Sequence, residues 1–421
     1  MTSAMFLSML VLVAFNIPLA LSIAFACIVA FVFFADMPTF VTVQRMFTGI
    51  DSFPLMSIPF FLLAGKIMEK GGVSIRLVNL GASIVGSTPG GLAIIALLAS
   101  MFFASISGSA PATVVAIGSI MVPAMIKAGY DKGFSVALMA VGGTIGIIIP
   151  PSIPFVVYGI SANVSIGDLF IAGIVPGLIV GFSLIIYSYY YSKSRGFRGS
   201  EPTSFANFIS CLKKSLFGLA MPVIILGGIY SGFFTPTESG AIACVYGLVI
   251  SVFIYKELSF SDLKEVFVSS GLTSSMVLLI IGAANIMGWI LTTEQFPQQV
   301  SNWISSVGAD KIWLLLAINA VLLLIGTFLE LNAAIILLVP IFLPILINED
   351  VNLIHFGIIM ITNLAIGLLT PPLGVNLFVA KSLSDTSFSL VVRKVLPLLL
   401  VMIVDLLLFT FLPDISLFFI S

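Results

Sequence analysis

Histidine is almost missing from this chain: His355 stands alone among 421 residues. One imidazole leaves little for acid–base chemistry, and no His-Glu-x-x-His pair exists to hold a catalytic metal. Cysteine is nearly as scarce. Cys27, Cys211 and Cys244 lie far apart without metal spacing, and an odd count gives no disulfide framework. A phosphate-cradling Gly-x-x-x-x-Gly-Lys-Ser/Thr loop is absent too, because Gly65-Lys66 runs on into Ile67; energy from ATP would have to come from elsewhere. The third shortage is charge. Only 8% of residues are charged and 60% are hydrophobic, with a mean hydropathy of +1.24. So little polar surface cannot cover a soluble globule, and the chain reads as an integral membrane protein. The net charge of −1 says nothing useful about partners, and nothing in the chain is built for nucleic acid.

What is present is apolar sequence in long continuous runs. A transmembrane barrel would alternate over segments of about ten residues, so these runs predict an all-α membrane protein in a lipid bilayer. The first run reaches about Phe34 and is too long for a signal-peptide core; it predicts a retained membrane segment bent near Asn16 and Pro18. With the polar loop around Arg45 and Asp51 it makes up residues 1–52. A first repeat, 53–190, holds a span from Phe53 to Met68 and an interfacial piece from Val73 to Val85. Two apolar pieces follow, Gly91 to Ala104 and Ala112 to Ile126. Each is about 14 residues, or roughly 21 Å of helix, against a hydrocarbon core of roughly 30 Å. They predict a re-entrant hairpin (91–126) with a polar tip from Ser105 to Pro111. A broken helix (134–160) and a span from Phe170 to Tyr190 complete the repeat. Residues 191–273 are expected to hold a cytoplasmic linker, Tyr191 to Lys214, then spans Phe217 to Tyr230 and Gly240 to Tyr255 and an amphipathic piece, Leu258 to Val268. A second repeat (274–421) runs through a span from Ser275 to Leu291, an interfacial piece from Gln295 to Val307, a hairpin (312–347), a broken helix (357–380) and a last span.

The second repeat is legible because one stretch occurs twice. Ile145-Gly146-Ile147-Ile148-Ile149-Pro150-Pro151 and Ile366-Gly367-Leu368-Leu369-Thr370-Pro371-Pro372 are offset by 367 − 146 = 221 residues. At the same offset Pro123 falls on Pro344, Met139 on Met360, Ser161 on Ser382 and Pro176 on Pro397. Ungapped register over that distance predicts an internal duplication. Each Pro pair removes two amide donors, so the helix breaks there and bares carbonyls, which lipid does not tolerate unless they face protein, water or an ion. A Pro kink alone explains one such stretch. Two in corresponding positions point to a binding site between repeats of a secondary transporter.

An odd number of spans between the repeat starts makes the repeats inverted, with the hairpins entering from opposite sides and their tips meeting at mid-membrane. Charge agrees. If the linker bearing Lys193, Arg195, Arg198, Lys213 and Lys214 is cytoplasmic, then Lys66, Lys70, Arg76, Lys127, Lys132, Lys256, Lys264, Lys381, Arg393 and Lys394 are too, and only Arg45 and Lys311 lie outside.

At the first tip Ser105, Ser107 and Ser109 offer hydroxyl oxygens and Gly108 admits close backbone approach. Sodium needs several oxygens, and carbonyls freed from Gly146 to Ile149 add to the set. The second site would use Thr327, Glu330, Asn332, Gly367 and Thr370. Against this stands the ordinary habit of helix hydroxyls, which is to bond the carbonyl one turn back. Glu330 is either a functional carboxylate at membrane depth or a helix cap. Asp405 has no obvious partner in the sequence. Ser107, Ser109, Ser152 and Asn376, near the tips and just past the Pro pairs, are candidate contacts for an anionic substrate at helix N-termini.

Taken together, Gly143 to Ser152, the Ser-rich tip Ser105 to Pro111, Phe61-Leu62-Leu63-Ala64-Gly65 and Phe234-Thr235-Pro236-Thr237-Glu238 resemble the large membrane subunit of tripartite ATP-independent periplasmic (TRAP) transporters over nearly the whole chain. The resemblance implies a bacterial inner-membrane carrier that moves a transport domain as an elevator. It implies a periplasmic substrate-binding protein and a small, roughly four-helix membrane subunit, here expected as a separate chain. It also implies uptake of an organic acid, sialic acid first and four-carbon dicarboxylates second, usually driven by sodium, with no cofactor and no enzymatic step. Thr144, and Ile149 through its freed carbonyl, belong to the same expected cation set. A stand-alone carrier needing no binding protein is the alternative.

Overall fold

The computed structural model describes residues 1–15, 17–34, 38, 40–85, 88–197, 204–307 and 310–420, with side chains left undescribed at 301 and 303–307. Every regular element among them is helical. The first half runs α1 (Thr2–Ala14), α2 (Leu19–Phe34), α3 (Phe40–Ile50), α4 (Ser57–Lys70), α5 (Val73–Val85), α6 (Gly91–Ser107), α7 (Ala110–Lys127), α8 (Lys132–Ile148), α9 (Ile153–Ala162) and α10 (Ile166–Arg195). The second runs α11 (Phe205–Tyr230), α12 (Pro236–Val249) with a π turn to Ile254, α13 (Phe260–Thr293), α14 (Phe296–Val307), α15 (Lys311–Gly326), α16 (Leu331–Asn348), α17 (Leu353–Gly367), α18 (Val375–Lys381), α19 (Phe388–Phe411) and α20 (Pro413–Leu417). Seven of these helices are long and apolar enough to cross a membrane, and nine spans result if the bent pairs α3–α4 and α8–α9 count as one each.

Local sequence sets many of the boundaries. Asp131 caps α8 by accepting from Phe134 N at 2.8 Å, and Thr235 with Glu238 closes a reciprocal box at the start of α12. Ser259 and Asp262 do the same for α13. The Pro pairs break the chain as expected: α8 and α9 meet at a bend of 43°, and both Pro–Pro peptide bonds are cis.

Several boundaries differ from the sequence reading. The first apolar run is two short helices, α1 and α2, packed against each other, with Cys27 Sγ 3.9 Å from Met5 Sδ; Pro18, lacking an amide, starts a new helix instead of bending one. Asn16, expected at the bend, lies outside the described residues, as does Arg198 of the linker. Arg45 belongs to α3, not a loop, with its guanidinium 5.4 Å from the Trp289 ring. The linker's second part, from Phe205, is already helical. The amphipathic piece after Leu258 and the span after Ser275 are one continuous 34-residue helix, about 51 Å long at 1.5 Å per residue, because no Pro or Gly pair interrupts it. The hairpin helices are 17, 18, 16 and 18 residues, longer than their apolar cores suggested, since Ser105, Ser107 and Ala110 continue the helix into the tip. Shortness therefore does not by itself make them re-entrant.

The 221-residue offset governs the whole architecture. α16 begins 331 − 110 = 221 residues after α7, and α17 begins 353 − 132 = 221 after α8. The order extends to the earlier helices: 19–34 shifted by 221 is 240–255, covering most of α12 and its π turn, and 40–70 becomes 261–291, inside α13. Packing follows the same exchange. α9 lies on α16 as α18 lies on α7, α8 lies on α19 as α17 lies on α10, and α10 and α19 touch each other. At the centre, α8 is buried along nearly its full length and α17 from His355 to Gly367; apolar on all sides, both belong in the middle of a bundle.

Candidate functional site

Both hairpin tips open into a single cavity of about 440 Å³, within the usual range for small-ligand sites. Ser107, Gly108, Ser109 and Pro111 line it from the first tip, and Glu330 and Asn332 from the second. α4 and α13 add Gly65, Lys66 and Glu69, and Ser270 and Thr273, to the wall. Ile147 and Leu368, at the ends of the two broken helices, complete it.

The first tip is a tight corner. Gly108 ends α6 in the left-handed region (φ +57°), and a Cβ there would sit 3.2 Å from Ile153 N and 3.4 Å from Pro151 O. Glycine is what lets the tip rest against the break in α8–α9. On its other side Gly65 of α4 does the same, a Cβ there falling 3.0 Å from Ser107 Cα. Ser107 Oγ meets Thr113 Oγ1 at 3.0 Å, and Thr113 Oγ1 donates to Ser109 O at 2.9 Å. A Cβ on Gly146 would lie 2.9 Å from that Thr113 oxygen and 3.5 Å from Ser109 O. Ser107, Ser109 and Gly146 thus lie together around Thr113. Thr113, fully buried, is the member the sequence reading passed over; its only signal was its place one turn into α7 from the tip.

At the second tip Glu330 does two things at once. Its carboxylate caps α16, accepting from Ala333 N at 3.0 Å and from Asn332 Nδ2 at 2.9 Å, and its side chain is also exposed to the cavity. Helix cap and cavity carboxylate are the same residue. Gly326 and Gly367 pack backbone to backbone, and a Cβ on Gly367 would stand 2.6 Å from Gly326 Cα.

Most freed carbonyls find partners. Pro150 and Pro151 remove the amides that would serve Gly146 O and Ile147 O; Ser152 Oγ takes Ile147 O at 2.7 Å. In the second copy Thr370 N takes Gly367 O at 3.0 Å and Asn376 N takes Leu368 O at 3.2 Å. The expectation of a row of bare carbonyls is corrected accordingly: buried backbone acceptors are costly to leave open, and neighbouring donors fold over to close them.

Other predicted residues stand behind the cavity, not in its wall. Ser152 is buried on its Ile147 bond, and Asn376 is buried against α8 with Nδ2 3.3 Å from Ala140 O, its Oδ1 unpartnered among the described residues. Neither lines the cavity. Ser105 donates to Phe102 O, Thr144 to Val141 O, Thr327 to Leu324 O and Thr370 to Ile366 O, the local habit of helix hydroxyls. A hydroxyl that gives its proton to the backbone keeps its lone pairs for another ligand. Ile149 ends α8 with its amide on Ile145 O and its side chain against Gly177. Pro150 and Pro151 are buried, whereas Pro371 is half-buried and Pro372 exposed. Asp405, unexplained in the sequence, accepts from Ser183 Oγ of α10 at 3.0 Å.

The family model for the tripartite ATP-independent periplasmic transporter, DctM component, matches residues 6–415. The isethionate TRAP transporter permease protein DctMQ of Oleidesulfovibrio alaskensis is 47% identical over 405 residues, which is 96% of this chain and 64% of that protein, so the chain spans less than two thirds of that relative. The C4-dicarboxylate TRAP transporter large permease protein DctM of Pseudomonas aeruginosa is 42% identical, covering 89% of this chain and 87% of the relative. The sialic acid TRAP transporter large permease protein SiaM of Vibrio cholerae is 37% identical, with 89% and 88% covered. In fold alone, the Alcanivorax borkumensis YdaH transporter superposes with a TM-score of 0.63 at 13% identity over 88% of this chain and 86% of that one. Neisseria gonorrhoeae MtrF gives 0.60 at 12% identity over 87% and 83%. A helical, multi-pass chain with paired hairpins and broken helices around one cavity, matched almost end to end by that family model, belongs to the DctM large-permease family of TRAP transporters, membrane carriers of the bacterial inner membrane and not enzymes.

Proposed function

We propose that this chain carries a small organic anion across the membrane together with sodium, accepting it from a periplasmic binding protein and working beside a small membrane subunit. The observation that carries this reading is the meeting of both hairpin tips in one cavity. An inverted pair of re-entrant hairpins, one entering from each face, accounts for it. The reciprocal packing of α9 on α16 and α18 on α7 is what a two-fold axis in the membrane plane would produce. In an elevator, the hairpins and broken helices move as one body against α3, α4 and α11–α13.

Ser107, Gly108, Ser109 with Thr113 and Gly146 form the better-furnished cation nest; Thr327, Gly367 and Thr370 form a sparser one, with Glu330 and Asn332 beside it. Ser107→Ala is expected to raise the sodium concentration for half-maximal uptake about fivefold, the loss of roughly 1 kcal/mol of hydrogen bonding. Unchanged sodium dependence in both Ser107→Ala and Thr113→Val would remove the first tip from cation binding. For the solute, sialic acid stands alongside isethionate and C4-dicarboxylate among the relatives' names and not above them.

The deciding experiment is reconstitution in liposomes with isethionate, succinate and N-acetylneuraminate as probes. Uptake is expected only with an inward sodium gradient and with binding protein and small subunit both present. Uptake by the chain alone would favour the stand-alone carrier.

A further inference from the structure

An organic anion entering a water-poor cavity must find positive charge, because an unpaired carboxylate or sulfonate there is strongly disfavoured. Three residues of the cavity wall carry charge: Glu330 at the second tip, and Lys66 and Glu69 on α4. Lys66 is therefore the one cation among the described wall residues. Its neighbour Gly65 touches the backbone of Ser107, which places Lys66 directly beside the first tip. Its ammonium is held by Glu69 Oε2 at 2.8 Å, and both side chains are partly open, at 33% and 18% of full exposure.

The duplication makes this pair stand out. Shifted by 221 residues, Lys66 falls on Met287 and Glu69 on Ile290, both fully buried in α13. The second half keeps the helix but not the charges, so holding the fold together does not require them. A partly open Lys–Glu bridge three residues apart is also a weak stabiliser, worth a few tenths of a kcal/mol.

We propose that Lys66 is the anion-receiving residue of the cavity and that Glu69 is a resident counter-ion, displaced when the acid group of the substrate pairs with the Lys66 ammonium. The exchange keeps the ammonium paired throughout and leaves Glu69 to water at the open side. Affinity is then the difference between two ion pairs, so Glu69 lowers it and sets how readily the anion leaves. This rests on the reading above that the cavity carries an organic anion.

The test uses the complete transporter in proteoliposomes, with initial rates of uptake for isethionate and succinate. Lys66→Met is expected to raise KM for the transported anion at least tenfold with little change in the sodium concentration for half-maximal uptake. Lys66→Arg should stay within about threefold of the parent, and Glu69→Gln should lower KM severalfold. Should Lys66→Met keep the parent KM, or Lys66→Met and Glu69→Gln impair uptake alike with Lys66→Arg no better, the pair is only a structural bridge and the proposal fails. If the unmodified transporter takes up neither anion nor N-acetylneuraminate, the functional reading fails instead, before any variant is compared.

Discussion

Glu330→Gln is expected to raise the sodium requirement of uptake about tenfold or more while leaving thermal stability nearly unchanged; Glu330→Ala is expected to alter both. The two oxygens of Glu330 accept from Ala333 N and Asn332 Nδ2 while the side chain faces the cavity. Glutamine keeps one side-chain oxygen for Ala333 N and loses the negative charge together with the second acceptor, so a flip of the Asn332 amide is needed to keep that contact. Alanine loses the cap as well, at about 1 kcal/mol. A carboxylate that draws a cation in a site drier than bulk water contributes more than a neutral oxygen, about 1.5–3 kcal/mol for a charged hydrogen bond, which is a tenfold effect or larger. Measuring the sodium dependence of uptake and the melting temperature of both variants separates the two roles. Parent-like sodium dependence in Glu330→Gln would leave Glu330 a cap and nothing more.

Gly367→Ala should be the most damaging single methyl in the second half. The added carbon would lie 2.6 Å from both Gly326 Cα and Gly326 C and 2.7 Å from its O. These are backbone atoms of the facing hairpin helix, and no rotamer change can move them aside. Overpacking of this kind costs about 1–3 kcal/mol, and here the strain falls on the joint between hairpin and broken helix. Uptake is expected to drop at least tenfold, with a lowered melting temperature in detergent. Gly227→Ala, a control where a Cβ meets nothing within 4 Å among the described residues, should behave like the parent. Equal tolerance at both positions would mean that the two elements separate easily.

Much of this site could be read before folding. The Pro pairs announce broken helices because a missing amide is a covalent fact, and the 221-residue register fixes which segments correspond. Gly108 between serines marks a corner. Other members stayed hidden for physical reasons. Thr113 looks like any helix threonine until α8 is laid across it. Ser152 reads as a substrate contact because it follows a Pro pair, yet its hydroxyl turns back to close the Ile147 carbonyl. Lys66 was assigned to the cytoplasmic rim by the charge pattern of its loop, since nothing along the chain tells that α4 runs beside the first tip. The long α13 was misread as two pieces because an amphipathic segment and a span have different composition but need no break between them.

Composition alone determined that the chain lives in a membrane as helices, and the Pro pairs repeated in register determined where two of those helices break, because hydropathy, proline and glycine act through neighbouring residues. Which carbonyls remain open, which tip faces which wall, and that two carboxylates and a single ammonium share one cavity were decided only in three dimensions. Those relations join positions far apart in the chain, such as Gly65 and Ser107, or Glu330 and Lys66, and side-chain packing between helices has no trace in local sequence.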